Sequence, residues 1–205
     1  MTTRVNSFSD GVFAIAITLL VLDIRAPSAW RVGSDADLAP ALIALLPRVA
    51  AYVLSFLVIG VYWVAHHSLL VYVRRVDRTF LWLNNLFLLC VAFIPFPASL
   101  LGTFTKYRTA SLVYGTTLVV TGVALYVVWR YASRANRLLA PDFGVTRRRA
   151  ITQRILAAPL MYIAAMLVSF VQPVLCIALY ALVPLGYILP WYGDKMLAQA
   201  GEESV

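Results

Sequence analysis

Apolar residues run along this chain in long blocks, and short charged clusters separate them. A helix needs about 20 mostly apolar residues to cross a bilayer. Six blocks meet that measure: residues 7–26, 40–72, 79–103, 108–131, 150–171 and 174–193. Pro27 closes the first, and a loop with Arg31, Asp35 and Asp37 follows. The second is long for one span, so it should tilt or project beyond the membrane. "RRVDR" at 74–78 separates it from the third, and Gln172-Pro173 divides the fifth from the sixth. "PFP" at 95–97 in the third block and Pro184 and Pro190 in the sixth predict kinks or early helix ends.

Composition turns this pattern into a class. The chain is 62% hydrophobic and 13% charged, with a mean hydropathy of +0.84. Soluble domains average about 45–50% apolar and about 25% charged. The expected fold is therefore an all-α membrane protein, one six-helix domain over residues 1–205. No soluble domain, low-complexity tract or internal repeat is evident, so a pore on a symmetry axis would need several copies. Asp10 and Asp23, and the further spans downstream, argue against a cleaved signal peptide. Cys90 and Cys176 lie inside apolar blocks and read as buried free thiols.

The net charge of +8 would suggest nucleic acid in a soluble protein. Here the basic residues sit between spans and report topology instead. With the N-terminus inside, Arg4, Arg74, Arg75, Arg78, Arg130, Arg134, Arg137, Arg147, Arg148, Arg149, Arg154 and Lys195 fall on the inner side. Only Arg25, Arg31, Arg48, Lys106 and Arg108 fall outside. Both termini are expected in the cytoplasm.

The first block, "RVNSFSDGVFAIAITLLVLDI", carries an aspartate close to its apolar run. An ionisable group at bilayer depth costs about 2.5–3.5 kcal/mol on insertion scales, so Asp10 needs a partner. Projected at about 100° per residue, Phe8, Gly11, Val12, Ile15, Leu19 and Leu22 form one stripe. Asp10 falls nearly opposite, with Ile17 and Val21; Ser9 lies between the faces, and Thr18 borders the stripe. Asp10 therefore reads as a tie to neighbouring helices. Candidate donors are Arg4, His66 or His67, Asn84 or Asn85, and the Trp63 or Trp82 indole. The stripe faces either lipid or a shared axis, and the projection alone leaves both open.

Other polar residues narrow the chemistry. His66 and His67 are adjacent, point about 100° apart on a helix and cannot easily share one metal. "WLNNLFLL" at 82–89 puts Asn84 and Asn85 in a span, where amides usually bond between helices. There is no TVGYG-like carbonyl filter, P-loop, GxSxG or HExxH. Neither a cofactor nor an enzyme is indicated. No span holds an arginine ladder of the voltage-sensor kind.

Arg4, Phe8-Ser9-Asp10 and Thr18-Leu19-Leu20, followed by "YWVAHHSLL" (62–70) and "FLWLNNLFLLCVAFIPFP" (80–97), resemble the transmembrane protein 175 family. Those proteins are endosomal and lysosomal potassium channels with prokaryotic relatives. The resemblance covers residues 4–103; beyond them the helices are merely compatible. It implies a potassium-permeable, leak-type homotetramer with one six-helix repeat per chain in a prokaryotic plasma membrane. It also implies a pore lined by the first helix. An apolar ring five residues after the motif aspartate, here Ile15, forms the constriction. Thr18, Leu19 and Leu22 follow as pore-facing positions, Thr18 being tied to potassium preference. Arg4, Phe8, Ser9 and Asp10 would pack behind the pore helix and hold the structure together. The competing readings are a proton-conducting or proton-coupled transporter using Asp10 and His66/His67, and a non-conducting scaffold or enzyme.

Overall fold

The computed structural model describes residues 2–28, 32–140 and 143–188. Arg31, Pro190, Lys195 and the end of the sixth expected span, 189–193, lie outside the described residues. The described residues form helices and connecting turns, with no strand. In order these are α1 (Thr2–Leu19), a 3-10 turn (Leu20–Asp23), α2 (Asp35–Ile43), α3 (Leu46–Val71), α4 (Arg78–Phe93), α5 (Pro95–Thr103), α6 (Arg108–Ser133), a 3-10 turn (Arg134–Asn136), α7 (Val145–Val168) and α8 (Pro173–Ile188).

Five stretches are long and apolar enough to cross a membrane: Thr3–Asp23, Leu46–Val71, Arg78–Thr103, Arg108–Asn136 and Val145–Val168. The described part of α8 is apolar but shorter, at 16 residues. The protein is an integral membrane protein.

The expected second span, 40–72, is two helices. The break falls at Ala44 and Leu45, and Pro47 stands in the first turn of α3. Proline lacks a backbone N–H, which suits the first turn, where that donor has no partner within the helix. The short α2 buries none of its side chains. The expected interruption at "PFP" occurs, with α4 ending at Phe93 and α5 starting at Pro95. Pro184 does not end α8, which continues to Ile188, and α7 likewise runs through Pro159.

The bundle closes as a ring of neighbours: α1 packs on α3 and α4, α4 on α6, α6 on α7, α7 on α8, and α8 on α3. Its centre is aromatic. Trp129, Tyr114, Tyr162, Tyr180, Phe80 and Phe87 are fully buried. Without water, each buried polar tip needs a partner inside the protein. Tyr62 donates to the Leu118 carbonyl at 2.6 Å, Tyr180 to the Ser111 carbonyl at 3.0 Å, and Trp129 to Thr152 at 2.9 Å. Glycine admits the closest approaches: a Cβ on Gly122 of α6 would lie 2.5 Å from Cγ of Pro159 on α7.

The loops at the Arg-rich end are joined to one another. Asp77 caps α4 by accepting from the Phe80 N–H at 2.8 Å. It also accepts from the Tyr131 hydroxyl at 2.7 Å and pairs with Arg137 at 3.4 Å. The N–H of Arg74 donates to the Leu138 carbonyl at 2.9 Å. Ala135 and Asn136 hold left-handed backbone, with φ of 51° and 50°.

Candidate functional site on the first helix

Helix α1 has three kinds of surface. Ser9, Phe13, Ala16 and Leu20 are buried against α3 and α4. Their spacing of four, three and four residues makes one face of a helix. The expected stripe lies to one side of that face and stays uncovered within the single chain. Phe8 is 58% exposed, Ile15 61%, Leu19 44% and Leu22 66%. Asp10 lies to the other side. The two-faced projection missed the buried strip because Phe13, Ala16 and Leu20 are as apolar as the stripe itself.

The polar residues of the region divide into two sets. In the first, the carboxylate of Asp10 accepts from the indole N–H of Trp63 on α3 at 2.8 Å. That indole packs against His67, centroid to centroid at 5.7 Å. In the second, Asn84 of α4 donates to the Ser9 hydroxyl at 3.2 Å. Its carbonyl oxygen lies 2.7 Å from His66 Nε2, which donates in this arrangement. His66 is 1% exposed, and Phe87 stacks on it at 5.2 Å with Phe13 beside it at 5.8 Å. One unbroken chain of hydrogen bonds thus joins α1, α4 and α3. Arg4, His67 and Asn85 are exposed and stand outside that chain.

The far end of the segment has its own fastening. Ser99 of α5 donates to the carboxylate of Asp23. Sequence reasoning noted Asp23 but gave it no partner, since Ser99 lies 76 positions away. Thr18 is exposed, and its hydroxyl donates to the Ile15 carbonyl at 2.9 Å. The Thr18 oxygen keeps lone pairs directed outward, so it can accept from water or meet a cation. The stripe otherwise offers no polar side-chain atom. Among the described residues no group of three or more His, Cys, Asp or Glu side chains could hold a metal ion.

Comparison with known proteins fits this arrangement. Residues 4–95 match the family described as "Endosomal/lysosomal potassium channel TMEM175". A protein from Streptomyces collinus named a potassium channel is 41% identical over 188 residues, covering 90% of each chain. The crystal structure of a lysosomal potassium-selective channel TMEM175 homolog from Chamaesiphon minutus superposes with a TM-score of 0.82. It shares 34% identity and covers 92% of this chain and 96% of that one. The human endosomal/lysosomal proton channel TMEM175 is 26% identical over 204 residues, and the match spans 40% of its length. Match, identity and shared fold together assign this chain to the TMEM175 family.

Proposed function

We propose that several copies of this chain assemble around a common axis and conduct potassium through a pore lined by α1. The family's members are ion channels, not enzymes. The observation that carries the reading is the split of α1 into a fastened side and an open side. Ser9, Asp10 and Asp23 are all engaged with α3, α4 or α5, while Ile15, Leu19 and Leu22 are left bare. The assembly is a homotetramer of six-span subunits with both termini cytoplasmic, in a prokaryotic plasma membrane.

An isoleucine ring cannot replace the hydration shell of an ion, because it supplies no oxygen. Such a ring works by dewetting: a narrow apolar section excludes water, and the ion with it, until it widens. Ile15 forms that constriction, Thr18 puts hydroxyl oxygens just beyond it, and Leu19 and Leu22 continue the wall. Selectivity then favours the cation that sheds water more cheaply, and conduction is of the leak type.

The relay reading uses Asp10 with His66 and His67. The enclosure of His66 by Phe13 and Phe87 supports the apolar ring over a proton path through that imidazole. Reconstituted protein tests both readings. Ile15→Asn wets the ring and raises potassium conductance in planar bilayers; an unchanged or smaller current overturns Ile15 as the constriction. Liposome flux driven by a pH gradient, with no flux under a potassium gradient, would establish the proton reading instead.

A further inference from the structure

A groove of about 700 Å³ opens on the outer surface of the bundle between α3, α7 and α8, away from α1. Its walls include Val64 and Leu69 of α3 and Ile151, Ile155 and Ala158 of α7, with Leu125 of α6 also lining it. No Asp or Glu is among its described lining residues.

Polarity is confined to one end. Arg147, Ile151, Arg154, Ile155 and Ala158 follow one another at helical spacing along a single face of α7. The guanidinium of Arg147 sits 6.0 Å from the centroid of the Tyr72 ring, at the end of α3. That of Arg154 sits 5.9 Å from the Tyr187 ring of α8. Tyr187 in turn donates to the Arg154 carbonyl. Tyr72, Tyr187 and Arg154 all line the groove. Stacking engages the face of a guanidinium, whereas bidentate donation to a phosphate uses its edge.

We infer that this groove binds one anionic phospholipid from the leaflet at the Arg-rich end of the bundle. The phosphate lies between Arg147 and Arg154, and the acyl chains run along the apolar walls. Basic pockets between membrane helices on a cation-rich side have the chemistry of anionic headgroup sites. Length argues for a lipid rather than a helix from a second copy. On α7 the lining stops at Ala158, about 17 Å past Arg147. That is little more than half of the ~30 Å hydrocarbon core, which a spanning helix would need in full. Gly60 leaves a slot in the wall: a Cβ there would meet nothing within 4 Å.

Native mass spectrometry of the full-length protein, in micelles holding equal phosphatidylglycerol and phosphatidylcholine, tests the inference. Wild type retains phosphatidylglycerol over phosphatidylcholine by roughly tenfold or more, the scale set by two arginines at a membrane surface. Arg147→Gln/Arg154→Gln brings the two lipids to parity. Gly60→Phe fills the slot and releases the lipid while subunit number stays as in wild type. Equal retention by wild type overturns the inference, as does a preference that survives the double arginine variant. So does a Gly60→Phe protein that keeps its lipid but loses subunits, because a neighbouring copy would then occupy the groove. None of these readouts involves ion flux, so they stand apart from the pore proposal.

Discussion

The indole nitrogen of Trp63 lies 2.8 Å from Oδ1 of Asp10, joining α3 to α1 across 53 positions of sequence. It answers why an apolar helix carries an aspartate. The carboxylate is an acceptor for a specific donor, and it lies to the side of the buried strip away from Ile15. Hydrogen bonds between membrane helices are worth about 0.6 kcal/mol on average, and those to charged groups more. Trp63→Phe should therefore cost about 1 kcal/mol. Melting midpoints of Trp63→Phe, Asp10→Ala and the double variant check this. The two losses are expected to be less than additive; full additivity would dissolve the pair.

Two glycines on the lining of the bundle predict opposite outcomes for one change. Gly122→Ala drives a Cβ to 2.5 Å from the rigid ring of Pro159. The helices must part, at a cost of about 1–3 kcal/mol for overpacking. Gly60→Ala meets nothing within 4 Å and gains helix propensity of about 0.5–1 kcal/mol. Thermal unfolding in detergent should move down for the first and up for the second.

Ala135 adopts φ 51° and ψ 34° beside Asn136 at φ 50°. Asparagine tolerates that region, whereas alanine pays about 1–2 kcal/mol for its Cβ. Ala135→Gly removes the clash and gives back part of the gain as unfolded-state entropy. A net stabilisation of about 0.5–1 kcal/mol is expected. An unchanged or lower melting midpoint would show that the turn relaxes at no cost.

Asp77 predicts an acid limit for the Arg-rich end. The Phe80 N–H, then the Tyr131 hydroxyl and Arg137, hold its carboxyl below the ordinary value of 3.8. A depressed folded value means the ionised form is the stabilised one. The contribution is whole above the ordinary value and is lost as pH falls through the folded one. Between about pH 5 and pH 3 the melting midpoint of wild type should therefore fall more steeply than that of Asp77→Asn. Parallel curves would remove Asp77 as the titrating group.

Some of this was legible in the sequence, and for physical reasons. Hydrophobic blocks fix spanning helices because the bilayer core offers no other partner for the backbone, and "PFP" breaks the third because proline lacks a donor. Trp63 stood among the candidate partners of Asp10, and Asn84 among the amides expected to bond between helices. The choice among those donors depended on the rotation of α3 and α4 about their axes, which one sequence does not encode locally. The break at Ala44–Leu45 was missed although Pro47 carries the signal of a first helical turn. The fastening of Asp23 by Ser99 had no local sign at all.

Those two fastenings have a mechanical consequence. Asp10 and Asp23 are held by different partners at points about 20 Å apart along the same rod. A rod anchored near both ends resists tilting far more than turning about its own axis. Ile15 and Thr18 stand about 60° apart around that axis. A modest roll, with no bend, is the motion that would trade a methyl surface for a hydroxyl on the open side.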